Sequence, residues 1–146
     1  MPQQVLLRTV EKMDLIQVKG LIDELENTIS DSNIFDSIFQ EYLLHENTLM
    51  FVVEHADEGI IGFASCKGQR LLHHQGMVFE IQEMIVRARH QGKGYGRLLF
   101  EKIQQEVVDR GAKSLEVTSN KRRKEAHAFY ESMGFRNSHE KFTIYF

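Results

Sequence analysis

Three glycines alternate with larger residues in His90-Gln91-Gly92-Lys93-Gly94-Tyr95-Gly96-Arg97. The stretch follows an apolar run, Met77 to Val86, and precedes a segment whose Leu98, Leu99, Ile103, Val107 and Val108 share one helical face before Gly111 ends it. A strand, a glycine turn and a helix in that order confine the fold to the mixed α/β class. Backbone without side chains can approach a ligand closely, and amide N–H groups gather at a helix start, so the turn is read as an anion site. A dinucleotide fingerprint needs G-x-G-x-x-G, whereas Gly92, Gly94 and Gly96 are spaced by two throughout. The mononucleotide loop G-x-x-x-x-G-K-[ST] is also missing, and with it the hydroxyl that would hold magnesium. A different pyrophosphate is wanted.

Upstream of the turn, Val5 to Val10 reads as a short strand, and Leu15, Val18, Leu21, Ile22 and Leu25 repeat at helical spacing behind Asp14, a candidate cap. Ser30 to His45 repeats the pattern with Ile34, Phe35, Ile38, Phe39, Tyr42 and Leu43. Leu49–Val53 and Ile60–Cys66, separated by the charged turn at 55–59, form the simplest kind of antiparallel hairpin. Downstream, Ser114 to Thr118 is the next strand. Ala126, Phe129, Tyr130 and Met133 lie on one face of a helix closed by Gly134, and Phe135 to Phe146 is expected to complete the sheet.

With 146 residues, 42% of them hydrophobic, and no proline after Pro2, the chain is read as one continuous domain over 1–146. No apolar stretch approaches the roughly 20 residues that cross a bilayer, and Met1 is not followed by a basic and then an apolar region, so a cytoplasmic protein without membrane contact is expected. Cys66 is the only cysteine, which excludes an internal disulfide and points to a buried, inert thiol. Residues 1–86 hold 5 basic and 14 acidic side chains, a balance of −9, while 87–146 hold 13 and 7, a balance of +6. The second half therefore suits an anionic ligand, although two ordinary solvated faces would give the same counts.

Gln91-x-x-Gly94-x-Gly96 matches the [RQ]-x-x-G-x-[GA] pyrophosphate loop of the GNAT family of acyl-CoA N-acyltransferases, and Asn120, Ala126, Phe129, Tyr130, Gly134 and Phe135 reproduce that family's N…A..FY…GF segment. The chain resembles this family. More narrowly, Leu72-His73-His74, Glu80-Ile81-Gln82-Glu83, Ala126-His127, Phe129-Tyr130, Ser138-His139 and Phe142-Thr143 look like the aminoalkylphosphonate N-acetyltransferases. The resemblance covers most of 60–143, and residues 1–59 share only the element order. It implies a central, mostly antiparallel twisted sheet of six to seven strands flanked by about four helices, acetyl-CoA as cosubstrate, a small-molecule amine acceptor and a homodimer.

Acetyl transfer needs a held cofactor, a polarised carbonyl, a deprotonated amine and a proton for the departing thiolate. Gln91, Gly92, Lys93, Gly94, Tyr95, Gly96 and Arg97 are the candidate pyrophosphate loop. The resemblance implies that Met84, Ile85 and Val86 pair their backbone with the pantetheine arm, and that Asn120, His127 and Tyr130 lie at the cofactor. A bulge in the strand would free an N–H for the thioester oxygen. Asn120 serves equally well as a cap for the following helix. Tyr130, with an ordinary phenol pKa near ~10, matches the family's general acid, where the residue alone would read as packing beside Phe129.

For the amine proton the candidates are Glu80, Gln82, Glu83 and His74. Strand alternation sets Glu80 and Gln82 on one face and Glu83 on the other unless a bulge intervenes. Gln82 cannot act as a base, which makes Glu80 the better carboxylate. His73 and His74 splay apart if the chain is extended there. No pair of histidines or carboxylates has a self-sufficient metal spacing, although the phosphonate relatives imply a divalent ion bridging the acceptor. Lys121-Arg122-Arg123-Lys124 opens a helix without interleaved aromatics, so it suits the 3′-phosphate of the nucleotide better than nucleic acid. Other readings are an acetyltransferase for an amino acid or another small amine, and a CoA-binding sensor without turnover.

Overall fold

Short β-rich runs, apolar on both faces in the central strands, form five strands in a computed structural model that describes residues 4–146. The strands are β1 (Val5–Thr9), β2 (Thr48–His55), β3 (Gly59–Leu71), β4 (Gly76–Val86) and β5 (Ser114–Val117), and they lie in sequence order across one sheet. β1 to β4 pair antiparallel, and β5 joins β4 in parallel. Four helices flank them among the described residues: α1 (Leu15–Glu26), α2 (Ser32–Leu44), α3 (Tyr95–Asp109) and α4 (Lys124–Ser132). None is long and apolar enough to cross a membrane.

Local chemistry sets the helix ends. The Asp31 carboxylate accepts the amide N–H groups of Asn33 and Ile34, each at 3.0 Å, and so caps α2. Gly111 and Gly134 take φ of 77° and 103° where α3 and α4 stop. Asp14 stands at the start of α1 as expected, but its carboxylate does not cap that helix. It takes two hydrogen bonds from Arg8, at 2.8 and 2.9 Å, and one from the Glu11 N–H.

The sheet has a core on each face. On one, α3 lays Leu99, Phe100, Ile103 and Val107 over Phe51, Val53, Ala64, Cys66, Phe79 and Ile81. On the other, Val18 and Leu21 of α1 and Phe39 of α2 cover Met50, Val52, Phe63 and Ile85. At about 1.5–3 kcal/mol for each fully buried large apolar side chain, the four α3 residues hold that helix against the sheet. Cys66 is buried in the first core, where desolvation pushes its thiol up to about 12 and leaves it inert at neutral pH.

Five strands replace the six to seven expected. The difference lies in Phe135 to Phe146, which form no strand. Phe135 docks its ring against Phe100 and Tyr130, at centroid distances of 5.5 and 5.7 Å. Beyond it comes the wholly polar Arg136 to Lys141, and the alternating Phe142, Ile144 and Phe146 then remain exposed. The alternation is real, but within this chain it meets no partner edge.

Candidate active site

β4 has two neighbours only as far as Ile81. Its parallel pairing with β5 runs from Val78 opposite Ser114 to Ile81 opposite Val117 and then stops, while pairing with β3 continues to Val86. From Gln82 to Val86 one edge of β4 therefore faces a gap. Met84, Ile85 and Val86 lie along this open edge.

The glycine turn follows directly. A 3-10 turn at Ala88–His90 leads from β4 into it, anchored by the buried His90, whose Nε2 lies 3.0 Å from a Glu58 oxygen. That hydrogen bond holds the Glu58 carboxyl below the usual range. Gly92 and Gly94 take φ of 77° and 90°, and a Cβ at either would meet nothing within 4 Å, so the turn is open above both. Leu98 is the first residue of the region whose N–H finds a backbone acceptor, the Gly94 carbonyl at 3.0 Å. The amides of 92–97 donate to no acceptor among the described residues, which is the donor array an anion needs. Gln91 donates through Nε2 to the Val86 carbonyl at 2.9 Å and so pins the turn to the end of the open edge. Lys93 and Arg97 are exposed, with Arg97 4 Å or less from Glu101, and Tyr95 is half-buried.

Gly96 is where β4, α3 and α4 meet. A Cβ there would sit 3.3 Å from the Phe129 ring and 4.0 Å from a Val86 methyl. This close approach sets Phe129, and with it Tyr130, beside the turn. The Tyr130 ring packs edge-on against Phe129 and Phe135, while its hydroxyl has no hydrogen-bond partner among the described residues. Desolvation pushes the phenol above its ordinary value, against the opposing pull of Arg123. Asn120 precedes α4: its side-chain oxygen accepts the Arg122 N–H at 2.9 Å, and its carbonyl lies 2.8 Å from His127 Nε2. Asn120 thus shapes the turn into α4 without standing at its N-cap position, which Arg123 occupies.

The bulge falls at Gln82, two residues before Met84. Glu83 opposes Ser65 and Ile81 opposes Cys66, which leaves Gln82 without a cross-strand partner. The extra residue shifts the alternation, so Glu80 and Glu83 point to the same face as their partners Lys67 and Ser65, the face that α1 and α2 cover. The bulge that is the exception to plain alternation is present, and it brings Glu83 to the face of Glu80. Gln82 is exposed and folds its amide back toward the Glu80 carbonyl.

Three residues that sequence reasoning did not single out complete this face. Ser65 donates a short hydrogen bond to Glu83, which also accepts from the Tyr42 hydroxyl at 3.1 Å. Burial and the facing carboxylate push the Tyr42 phenol up, so it remains a donor. Lys67 Nζ lies 4.2 Å from the centre of the Tyr42 ring. A signal existed for Ser65, a lone hydroxyl inside the apolar run Phe63 to Cys66; Tyr42 looked like one more apolar helix position. Glu80 accepts from Thr118, just past β5, at 2.9 Å and bridges the two strands where they part.

His73 and His74 sit elsewhere. They form a 3-10 turn at the tip of the β3–β4 hairpin with ring centres 4.2 Å apart, a compact turn where an extended chain would have splayed them. At about 3.3 Å per strand residue, His74 lies on the order of 20 Å along β4 from Glu83. Among the described residues no three His, Cys, Asp or Glu side chains converge as a metal ligand set. The residues present do not fit a bound divalent ion.

Comparison with known proteins gives the family. The GNAT acetyltransferase family matches residues 19–135. The aminoalkylphosphonate N-acetyltransferase of Salmonella typhimurium strain LT2 is 32% identical over 137 residues, covering 94% of this chain and 88% of that protein. Among solved structures, the transcriptional regulator from Bacillus halodurans C-125 superposes with a TM-score of 0.88 at 23% identity, covering 97% of this chain and 99% of the other. Glucosamine-6-phosphate N-acetyltransferase from Arabidopsis thaliana gives 0.81 at 22%, covering 99% of each. At such identities the two structures speak for the fold alone. With the family matched over most of its length, the chain belongs to the GNAT acetyltransferases and is an acetyl-CoA-dependent N-acetyltransferase.

Proposed function

We propose that this protein transfers the acetyl group of acetyl-CoA to the primary amine of a small anionic acceptor, with an aminoalkylphosphonate as the leading substrate. The observation that carries the reading is the run of undonated amides at 92–97 directly beside the open edge of β4. The amides take the pyrophosphate; the edge from Gln82 to Val86 takes the amide groups of the pantetheine arm, as an added strand would. Arg87 Nε and Ser119 Oγ, buried without partners on the chain just beyond each strand, add two polar atoms near the gap. Asn120 and His127 support the α4 wall, and the basic run at 121–124 lies at that same wall for the nucleotide's phosphate.

The acceptor enters from the face that α1 and α2 cover. Its nitrogen attacks the thioester carbon, and Glu80 takes the amine proton directly or through a water, using the oxygen that Thr118 leaves free. Collapse of the tetrahedral adduct expels the CoA thiolate, which Tyr130 protonates. A phenol whose pKa burial raises is protonated at neutral pH, as a general acid must be. Glu83, fixed by two hydroxyls, is the second carboxylate of that face. His74, at the hairpin tip, stands apart from both.

For the acceptor class, the support is the named activity of the Salmonella relative together with Lys67, a cation beside Glu80 on the acceptor face and suited to a phosphonate. The same reading takes 1–146 as one catalytic unit that works in the cytoplasm as a homodimer. Thiol release from acetyl-CoA, measured across a panel of aminoalkylphosphonates, matched amino acids and simple amines, tests it. Turnover is expected with the phosphonates first. A panel in which amino acids are preferred moves the acceptor assignment, and CoA binding without turnover on any amine favours the sensor.

A further inference from the structure

We propose that Glu58 is a positioning residue for the cofactor: from the turn between β2 and β3, its carboxylate latches the entry of the glycine turn and so holds the amides of 92–97 in the arrangement that takes a pyrophosphate. The proposal rests on the pyrophosphate reading of 92–97. That turn has little of its own to hold it. Gly92 and Gly94 carry no side chain, and a Cβ at either would touch nothing within 4 Å. The bonds just upstream are short-range: the His90 N–H to the Arg87 carbonyl at 2.8 Å, the Gln91 N–H to the Ala88 carbonyl at 3.2 Å, and the Gln91 side chain to the Val86 carbonyl at 2.9 Å. Among the described residues, the hydrogen bond and ion pair that tie the side chains of 88–90 to a distant part of the chain are both made by Glu58.

Glu58 is itself well fixed. His55 Nδ1 accepts the N–H groups of Asp57 and Glu58, at 3.1 and 3.3 Å, and Gly59 turns the chain back at φ of 77°. One Glu58 oxygen lies 3.0 Å from His90 Nε2 and the other 3.3 Å from Arg89 Nη1. An ionised carboxylate only accepts, so Nε2 carries the hydrogen of that bond. His90 Nδ1 is buried without a partner among the described residues, which leaves Glu58 as the hydrogen bond that orients the ring. The ring centre of Tyr95, the first residue of α3, lies 6.2 Å from that of His90. A displaced His90 therefore disturbs both ends of the glycine turn.

Charge alone argues against a carboxylate here. A negative group beside an anion site repels the anion, and the pairing with Arg89, whose side chain is 72% exposed, offsets this only weakly. By Coulomb's law the pyrophosphate would bind better without Glu58. What the carboxylate supplies is geometry, a set of donors already arranged before the ligand arrives.

Calorimetric titration with CoA separates the two effects by sign. Glu58→Ala removes charge and latch together, and CoA affinity is expected to fall about tenfold, where charge alone would raise it. Glu58→Gln keeps an oxygen for the Nε2 hydrogen and drops the charge, so it is expected to bind CoA at least as tightly as the native chain. His90→Phe keeps a ring and loses the bond. Its affinity should match that of Glu58→Ala, and the double variant should lose no more than either single change, because both act through one contact. Glu58 sits on an exposed turn, so its two variants keep the test open if His90→Phe fails to fold; urea unfolding checks each. Native or tighter CoA binding by Glu58→Ala, a Glu58→Gln as weak as Glu58→Ala, or losses that add in the double variant would each overturn the latch. Failure of the underlying reading looks different: Gly94→Glu would then bind CoA at native affinity.

Discussion

Replacing Tyr130 with phenylalanine isolates one proton. The ring is held by edge contacts to Phe129 and Phe135, at 5.4 and 5.7 Å, which the variant keeps. The hydroxyl lost makes no hydrogen bond within the described chain, so stability should change by no more than about 0.5 kcal/mol, the scale of a substitution that breaks no contact. Turnover should fall by roughly 10²-fold or more, the usual worth of a general acid, equal to about 2.7 kcal/mol of barrier. Because the loss is confined to the chemical step, the affinity for acetyl-CoA stays as it was.

The pH profile supplies the sharper readout. Burial raises the phenol, so the native enzyme holds its proton through the alkaline range and loses activity only above the ordinary phenol value of about 10. The variant lacks that falling limb. Thiol release at saturating acceptor, with calorimetric titration of CoA alongside, measures both terms. Turnover within about threefold of native, or a loss matched by weakened CoA binding and a lower melting temperature, would refute the assignment and leave Tyr130 as packing.

Glu80→Gln should cost roughly 10²-fold near neutral pH and far less at high pH, where the acceptor arrives already neutral; parallel rate profiles for variant and native would hand the base to Glu83. Gly94→Glu places a side chain at φ of 90° and a negative charge in the pyrophosphate cradle, and calorimetry should find CoA affinity lowered by at least about 10²-fold; unchanged affinity would move that site. Asp14→Asn breaks the buried pair with Arg8 and should cost about 3 kcal/mol in urea unfolding. In the native chain Arg8 holds the Asp14 carboxyl below the ordinary range, so this stabilisation is complete above the unfolded pKa near ~3.9 and is lost as pH falls through the folded one. An acid-unfolding midpoint equal to that of Asp14→Asn would sink that account.

Element positions were legible because each has a local cause. Leu15, Val18, Leu21, Ile22 and Leu25 cover one face of α1, and the continuous apolar run from Leu49 to Val53 gives β2, buried on both faces, both within a few residues of the reading. The glycines that close α3 and α4 do so at positive φ, a conformation that marks itself in sequence. Phe135 to Phe146 misled for the opposite reason. Alternation there reports a strand's apolar face, but a strand needs an edge, and the edge is a tertiary fact that lies outside the segment.

The candidate site divides along the same line. Gly92, Gly94, Gly96 and Tyr130 belong to short motifs in which residue type alone does the work, and the structure brings them together at the Gly96–Phe129 contact. Glu80 and Glu83 could not be placed by pattern, since the alternation of a strand holds only while its register holds. One unpaired residue, Gln82, reverses the facing of everything after it. The bulge turns two carboxylates that a regular strand would set back to back into a pair on the face that α1 and α2 cover, with Ser65 and Tyr42 fixing the second. It falls at the point where β5 ceases to follow β4. Pairing on both sides resists an inserted residue; a strand with one free edge accepts it. The same parting of the strands thus opens the gap beside β4 and permits the bulge that aims Glu83 beside Glu80, which is why neither could be read from 80–83 alone.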